Sequence, residues 1–79
     1  MQLIDAGNDE WLRVVNIIGG KGVAHKLRQL GVMPGDCIRI IRHAPLGGPI
    51  MIEVGGRVIA IGRGVASHID VEKSECASL

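Results

Sequence analysis

Aromatic side chains are almost missing from this 79-residue chain, which holds one Trp, no Phe and no Tyr although 47% of it is hydrophobic. Any core must therefore be built from Ile, Val and Leu, and a platform for stacking nucleic-acid bases is absent. Charge of one sign is missing too: nine basic against eight acidic residues leave a net charge of +1. That falls far short of the Lys/Arg excess that steers a domain onto a phosphate backbone, so no nucleic-acid partner is expected. No apolar run approaches the roughly 18 to 20 residues needed to cross a bilayer, so the chain is not expected to be membrane-embedded. The first ten residues include Asp5, Asp9 and Glu10, where a secretory leader would have a basic and then an apolar region, and the chain reads as cytoplasmic. Only two cysteines occur, Cys37 and Cys76. Without a secretory signal they read as reduced thiols rather than as a structural disulfide.

Catalytic signatures are also lacking. No GxSxG, HExxH, CxxC or P-loop pattern occurs, and GGKGVAH at residues 19–25 has neither the spacing nor the terminal Lys-Ser/Thr of a phosphate-cradling loop. The chain is not expected to be an enzyme.

What is present is a set of short strands with one helix among them, in a length that suits a single domain, residues 1–79. Residues 11–18, WLRVVNII, are β-branched and apolar and end at Gly19-Gly20, which reads as a strand and a flexible joint. Across residues 22–30 the apolar positions Val23, Ala24, Leu27 and Leu30 recur at helical spacing. Lys21, His25, Lys26, Arg28 and Gln29 fall on the other side, and Gly31 stands where a left-handed C-cap is needed.

Met33-Pro34-Gly35-Asp36 should reverse the chain, with Pro34 presetting φ and Gly35 taking a positive one. Residues 36–43 form a second strand in which the adjacent Ile40 and Ile41 imply either burial on both faces or a bulge. The run 44–49, APLGGP, is too rich in Pro and Gly to continue a ladder and reads as a loop. Residues 50–54 and 57–61 make a hairpin about Gly55-Gly56. A single helical or 3₁₀ turn at 62–67 and a short strand at 68–71 follow. Residues 1–10 show no clean period, though Leu3 and Ile4 suit a lead-in strand, and residues 73–79 read as a frayed tail. The fold class is mainly β: a small barrel of about five strands with one inserted short α-helix and a core over about 11–72, closed so that no edge stays open. The two loops, 33–36 and 44–49, are expected on one functional side.

In their order along the chain, several of these features resemble the FeoA family. They are the Gly-Gly-x-Gly of residues 19–22, Leu27-x-x-Leu30-Gly31, Met33-Pro34-Gly35, and Ala44-Pro45-Leu46-Gly47-Gly48-Pro49-Ile50. Val58-Ile59-Ala60-Ile61 followed by Ala66 and Ile69-Asp70-Val71 complete the likeness, which spans residues 11–72. The resemblance implies an SH3-like barrel in a small cytoplasmic partner of FeoB, the ferrous iron transporter whose cytoplasmic part hydrolyses GTP. The module also occurs fused behind the DNA-binding part of metal-responsive repressors, but a start at Met1 and a brief polar tail suit a stand-alone form.

The expected partner surface combines Val32, Met33 and Pro34 with Pro45, Leu46, Gly47 and Gly48, and with Lys26 on the outer helix face, where Lys21, Lys26 and Arg28 form either a solvated surface or a contact for an acidic patch on the partner. Two readings of Leu46 stay open: an exposed contact, or a plug folded over the barrel end. No cofactor is expected. Metal binding rests on weak candidates, His43 and Cys37, with His25, His68 and Cys76 also able to ligate, but their spacings form no compact motif. The alternatives to an adaptor are a module that senses or carries Fe or Zn, and a homo-oligomerisation module that pairs an exposed sheet edge with its copy.

Overall fold

Strict alternation of aliphatic residues sets the inner face of the sheet. In the computed structural model, which describes residues 1–76, β3 (Ile50–Val54) buries Ile50, Ile52 and Val54 and leaves Met51 and Glu53 half-exposed. β1 (Trp11–Ile17) adds Leu12 and Val14, and β2 (Cys37–His43) adds Ile38 and Ile40. β4 (Arg57–Ile61) brings Ile61, and β5 (Ile69–Lys73) brings Ile69 and Val71. Leu27 of α1 (Gly20–Leu30), Val32, and Leu3 and Ala6 about the 3₁₀ turn Leu3–Asp5 complete the cluster. No polar or charged residue is buried among the described residues, so the core is aliphatic throughout.

The antiparallel strands run in the order β4-β3-β2-β1-β5. Closure is where the expected barrel needs correcting: among the described residues no ladder joins β4 to β5, and the sheet is barrel-like but open. The chain crosses that gap through α2 (Arg63–Ala66), which buries Ala66 and touches the N-terminal 3₁₀ turn. The expected lead-in strand is that 3₁₀ turn, with only Gln2 bridging to Asp70.

Two bulges bend the sheet, one between Val14 and Asn16 in β1 and one between Ile40 and Arg42 in β2. The second resolves the Ile40-Ile41 pair: Ile40 is fully buried, and the register slips at Ile41, which is only half-buried. Such a slip raises local twist and lets a short sheet wrap around one core. The helix begins two residues before its expected start and ends as expected, with Gly31 at φ 87° and its N–H bonded to the Arg28 carbonyl.

The C-terminal stretch is tied down further than expected. β5 runs to Lys73, the Ser74 N–H donates to the Trp11 carbonyl at 3.1 Å, and Cys76 is 8% exposed; residues 77–79 lie outside the described residues. Cys37 and Cys76 form a disulfide with Cα atoms 6.0 Å apart, which corrects the expectation of reduced thiols. Strand order explains it. Lys73 pairs with Leu12 on one side of β1 and Cys37 pairs with Arg13 on the other, so a chain leaving β5 reaches β2 within three residues.

Leu27 is the buried contact through which the helix docks on the sheet. Leu27→Ala should therefore destabilise the fold by about 2–5 kcal/mol, read as a lower midpoint in urea unfolding followed by circular dichroism.

A candidate partner-docking site

The turn after α1 is held on both sides by hydrogen bonds. The Asp36 N–H donates to the Met33 carbonyl at 3.0 Å, and the Met33 N–H donates to the Asp36 carboxylate at 2.8 Å. Gly35 takes φ 96°, which only a residue without a Cβ adopts cheaply, and its N–H donates to the Val14 carbonyl at 2.7 Å. These bonds lay the turn against β1. Between them a groove of about 200 Å³ opens, lined by Asn16, Ile17, Ala24, Arg28, Val32, Met33 and Pro34.

Within that groove the expected contact residues differ in kind. Met33 is 46% exposed, whereas Val32, which lines the groove from beneath, is fully buried and belongs to the core. Lys26 stands about 200° around the helix from Ala24, on the flank away from the groove. The basic residues beside the groove are instead Lys21, His25 and Arg28, which share a helix face with Ala24 and border a second hollow. Their three- and four-residue spacing was visible in the sequence; which side of the helix met β1 was not.

The segment 44–49 is the expected loop between β2 and β3, and a tight one. Ala44 N–H donates to the Pro49 carbonyl at 2.9 Å, and Gly48 N–H donates to the Pro45 carbonyl at 3.1 Å, so the β2–β3 pairing runs one step further and ends in a two-residue reversal. Prolines at 45 and 49 withhold only their own N–H groups, which is why the ladder survives them. Leu46 and Gly47 occupy the reversal at φ 59° and 73°, the signature of a mirror-image hairpin turn. A Cβ at Gly48 would stand 2.9 Å from the Ala44 Cβ, so this glycine serves packing. Leu46 is fully solvent-exposed, at 104%, which excludes the reading of it as a plug.

The two surfaces do not share a side. β2 pairs Ile38 with Val54 near its start and His43 with Ile50 at its end, so the 33–36 turn and the Leu46 tip lie at opposite ends of a seven-residue strand. That separation is about 20 Å. β4 forms one edge of the sheet, with Val58 57% exposed.

No metal centre gathers. Among the described residues no group of three or more His, Cys, Asp or Glu side chains could hold an ion. His43 Nε2 lies 2.8 Å from the Ala6 carbonyl, where as an N–H it donates to the N-terminal segment, and Cys37 is committed to the disulfide. His68 Nδ1 likewise meets the Gly64 carbonyl at 2.8 Å.

The FeoA domain model matches residues 1–73. This chain belongs to the FeoA family. A relative from Methanocaldococcus jannaschii, described as an Fe(2+) transport protein A, is 37% identical over 89% of this chain and 83% of its own. A crystal structure of an iron uptake regulatory protein (FeoA) matches with TM-score 0.85 at 38% identity, over 94% of this chain and 96% of that one. The solution structure of iron(II) transport protein A from Clostridium thermocellum matches with TM-score 0.86 at 32% identity, covering 92% of this chain and 45% of that one. ScaR shares the fold alone, at 22% identity and TM-score 0.87. The FeoA family ties the chain to Fe(2+) transport, and no helix among the described residues is long and apolar enough to cross a membrane.

In this FeoA-family chain the two reversals respond oppositely to substitution. Gly35→Ala forces a Cβ into a positive φ and should cost about 1 kcal/mol or more. Leu46→Asn places a residue that tolerates that region where Leu buries nothing, and should stabilise by up to about 1 kcal/mol. Urea midpoints moving in opposite directions would bear this out.

Proposed function

We propose that this FeoA-family chain is a non-enzymatic, cytoplasmic accessory protein of ferrous iron uptake. It binds the cytoplasmic GTPase region of the FeoB transporter and alters its state, with the Leu46 tip as its principal contact. Leu46 carries the reading. A large aliphatic side chain stands wholly in water at a backbone angle that disfavours it, so the fold gains nothing from leucine there. An anchor entering a pocket on a partner would explain why the residue is leucine. The Ala44–Pro49 and Gly48–Pro45 backbone bonds hold the tip in place, which lowers the ordering cost of binding.

The groove beside Met33 is a second contact on the same partner rather than an alternative to the first. Its apolar floor and its basic neighbours Lys21 and Arg28 suit an apolar segment flanked by acidic residues.

The test is a titration of the soluble GTPase region, with and without nucleotide, against the full chain. Leu46→Asn should weaken binding by about tenfold or more, the range of an anchor residue, while the folded state becomes no less stable. Met33→Asp should weaken it less. Unchanged affinity for a folded Leu46→Asn protein would remove the tip from the contact surface, and no binding by the unsubstituted chain would remove the partner.

A further inference from the structure

Nothing in the docking surface uses the two cysteines, yet they join distant parts of the chain. Cys37 opens β2 directly after Asp36, the residue that closes the 33–36 turn, and Cys76 lies three residues beyond β5. Their bond spans 39 positions of sequence and carries residues 74–76 across β1. Cys76 is buried at 8% exposure, whereas Cys37 is half-exposed, so an incoming thiolate reaches the pair from the Cys37 side.

We propose that Cys37 and Cys76 are a reversible redox site that exchanges with glutathione-class thiols and sets whether residues 74–76 stay packed on β1. In the forming direction, the Cys37 thiolate attacks glutathione disulfide and expels one glutathione thiolate. The Cys76 thiolate then attacks the Cys37 sulfur of that mixed disulfide and expels the second. Two protein thiols lose two electrons and two protons, and one glutathione disulfide becomes two glutathione thiols. Reduction reverses each step.

The consequence is local. In the reduced chain the C-terminal segment is left with the Ser74–Trp11 backbone bond seen in the disulfide form and the burial of Cys76. It no longer closes a covalent ring, so it opens from β1 far more often while the aliphatic core stays intact. The start of β2, and with it the Asp36 side of the turn, loses its covalent anchor at the same time.

The test equilibrates the full chain in mixtures of reduced and oxidised glutathione, then counts free thiols by mass after alkylation. Emission of Trp11, the chain's only Trp and the residue bonded to Ser74, is followed in parallel with amide exchange. The expected result is one reversible transition from two alkylated cysteines to none. Trp11 emission should change with it, and Ser74 exchange should be about tenfold or more faster in the reduced form, with Ile52 in β3, remote from both cysteines, changed far less. Cys76→Ser should replace the two-thiol transition by the loss of one thiol to a stable glutathione adduct at Cys37, and leave Ser74 fast in every mixture; the unsubstituted reduced chain gives the same Ser74 reading should that variant not fold. Thiols that stay free in excess glutathione disulfide, or a bond that survives excess glutathione, would overturn the exchange. A complete transition that moves neither Trp11 nor Ser74 would overturn the control of the segment.

Discussion

Burial of branched aliphatic side chains on one face of a bent five-stranded sheet is the interaction on which everything else in this molecule depends. A domain of 79 residues has little interior, and with no Phe or Tyr available each strand must contribute one to three buried Ile, Val or Leu. Branched side chains fit a pleated surface and fill space without long rotatable stems. The bulges in β1 and β2 follow from the same need, because a flat sheet of strands this short could not wrap around one cluster.

That economy shapes the surface. No polar or charged residue among those described is buried whole, so the interior itself is aliphatic. What the fold offers outward is shape: a rigid hairpin tip carrying Leu46 and a groove beside Met33 with basic neighbours. Backbone hydrogen bonds hold the Leu46 tip, and the turn beside the groove is held by backbone bonds together with the Asp36 carboxylate.

Local rules made most of the elements legible. The β3–β4 hairpin could be read residue for residue, because strict alternation flanking Gly55-Gly56 leaves one register. Gly31 marked the helix end, and Pro34-Gly35 marked the turn. The failures share one cause, which is distance along the chain. Val32 looked like surface because its neighbours Met33 and Pro34 are loop residues, yet it drops into the core beneath α1. Residues 73–76 looked like a tail because what holds them, Trp11 and Cys37, is more than 35 positions away. The 44–49 run could be read as the loop joining β2 and β3; what the sequence did not show is that the Ala44 and Gly48 N–H groups close it into a tight turn.

The sequence by itself therefore determined the element types, the aliphatic nature of the core, the ordered turns that carry the FeoA likeness, and the exclusion of a membrane-spanning run. These follow from periodicity and turn chemistry, which act over a few residues. Only the tertiary structure decided that the sheet stays open and that the two reversals stand at opposite ends of β2. It alone separated Lys21 and Arg28, which border the groove with His25, from Lys26 on the other flank, and brought Cys37 to Cys76. Each of these is a question of which strand lies beside which, and strand order is set by how one shared core is best covered.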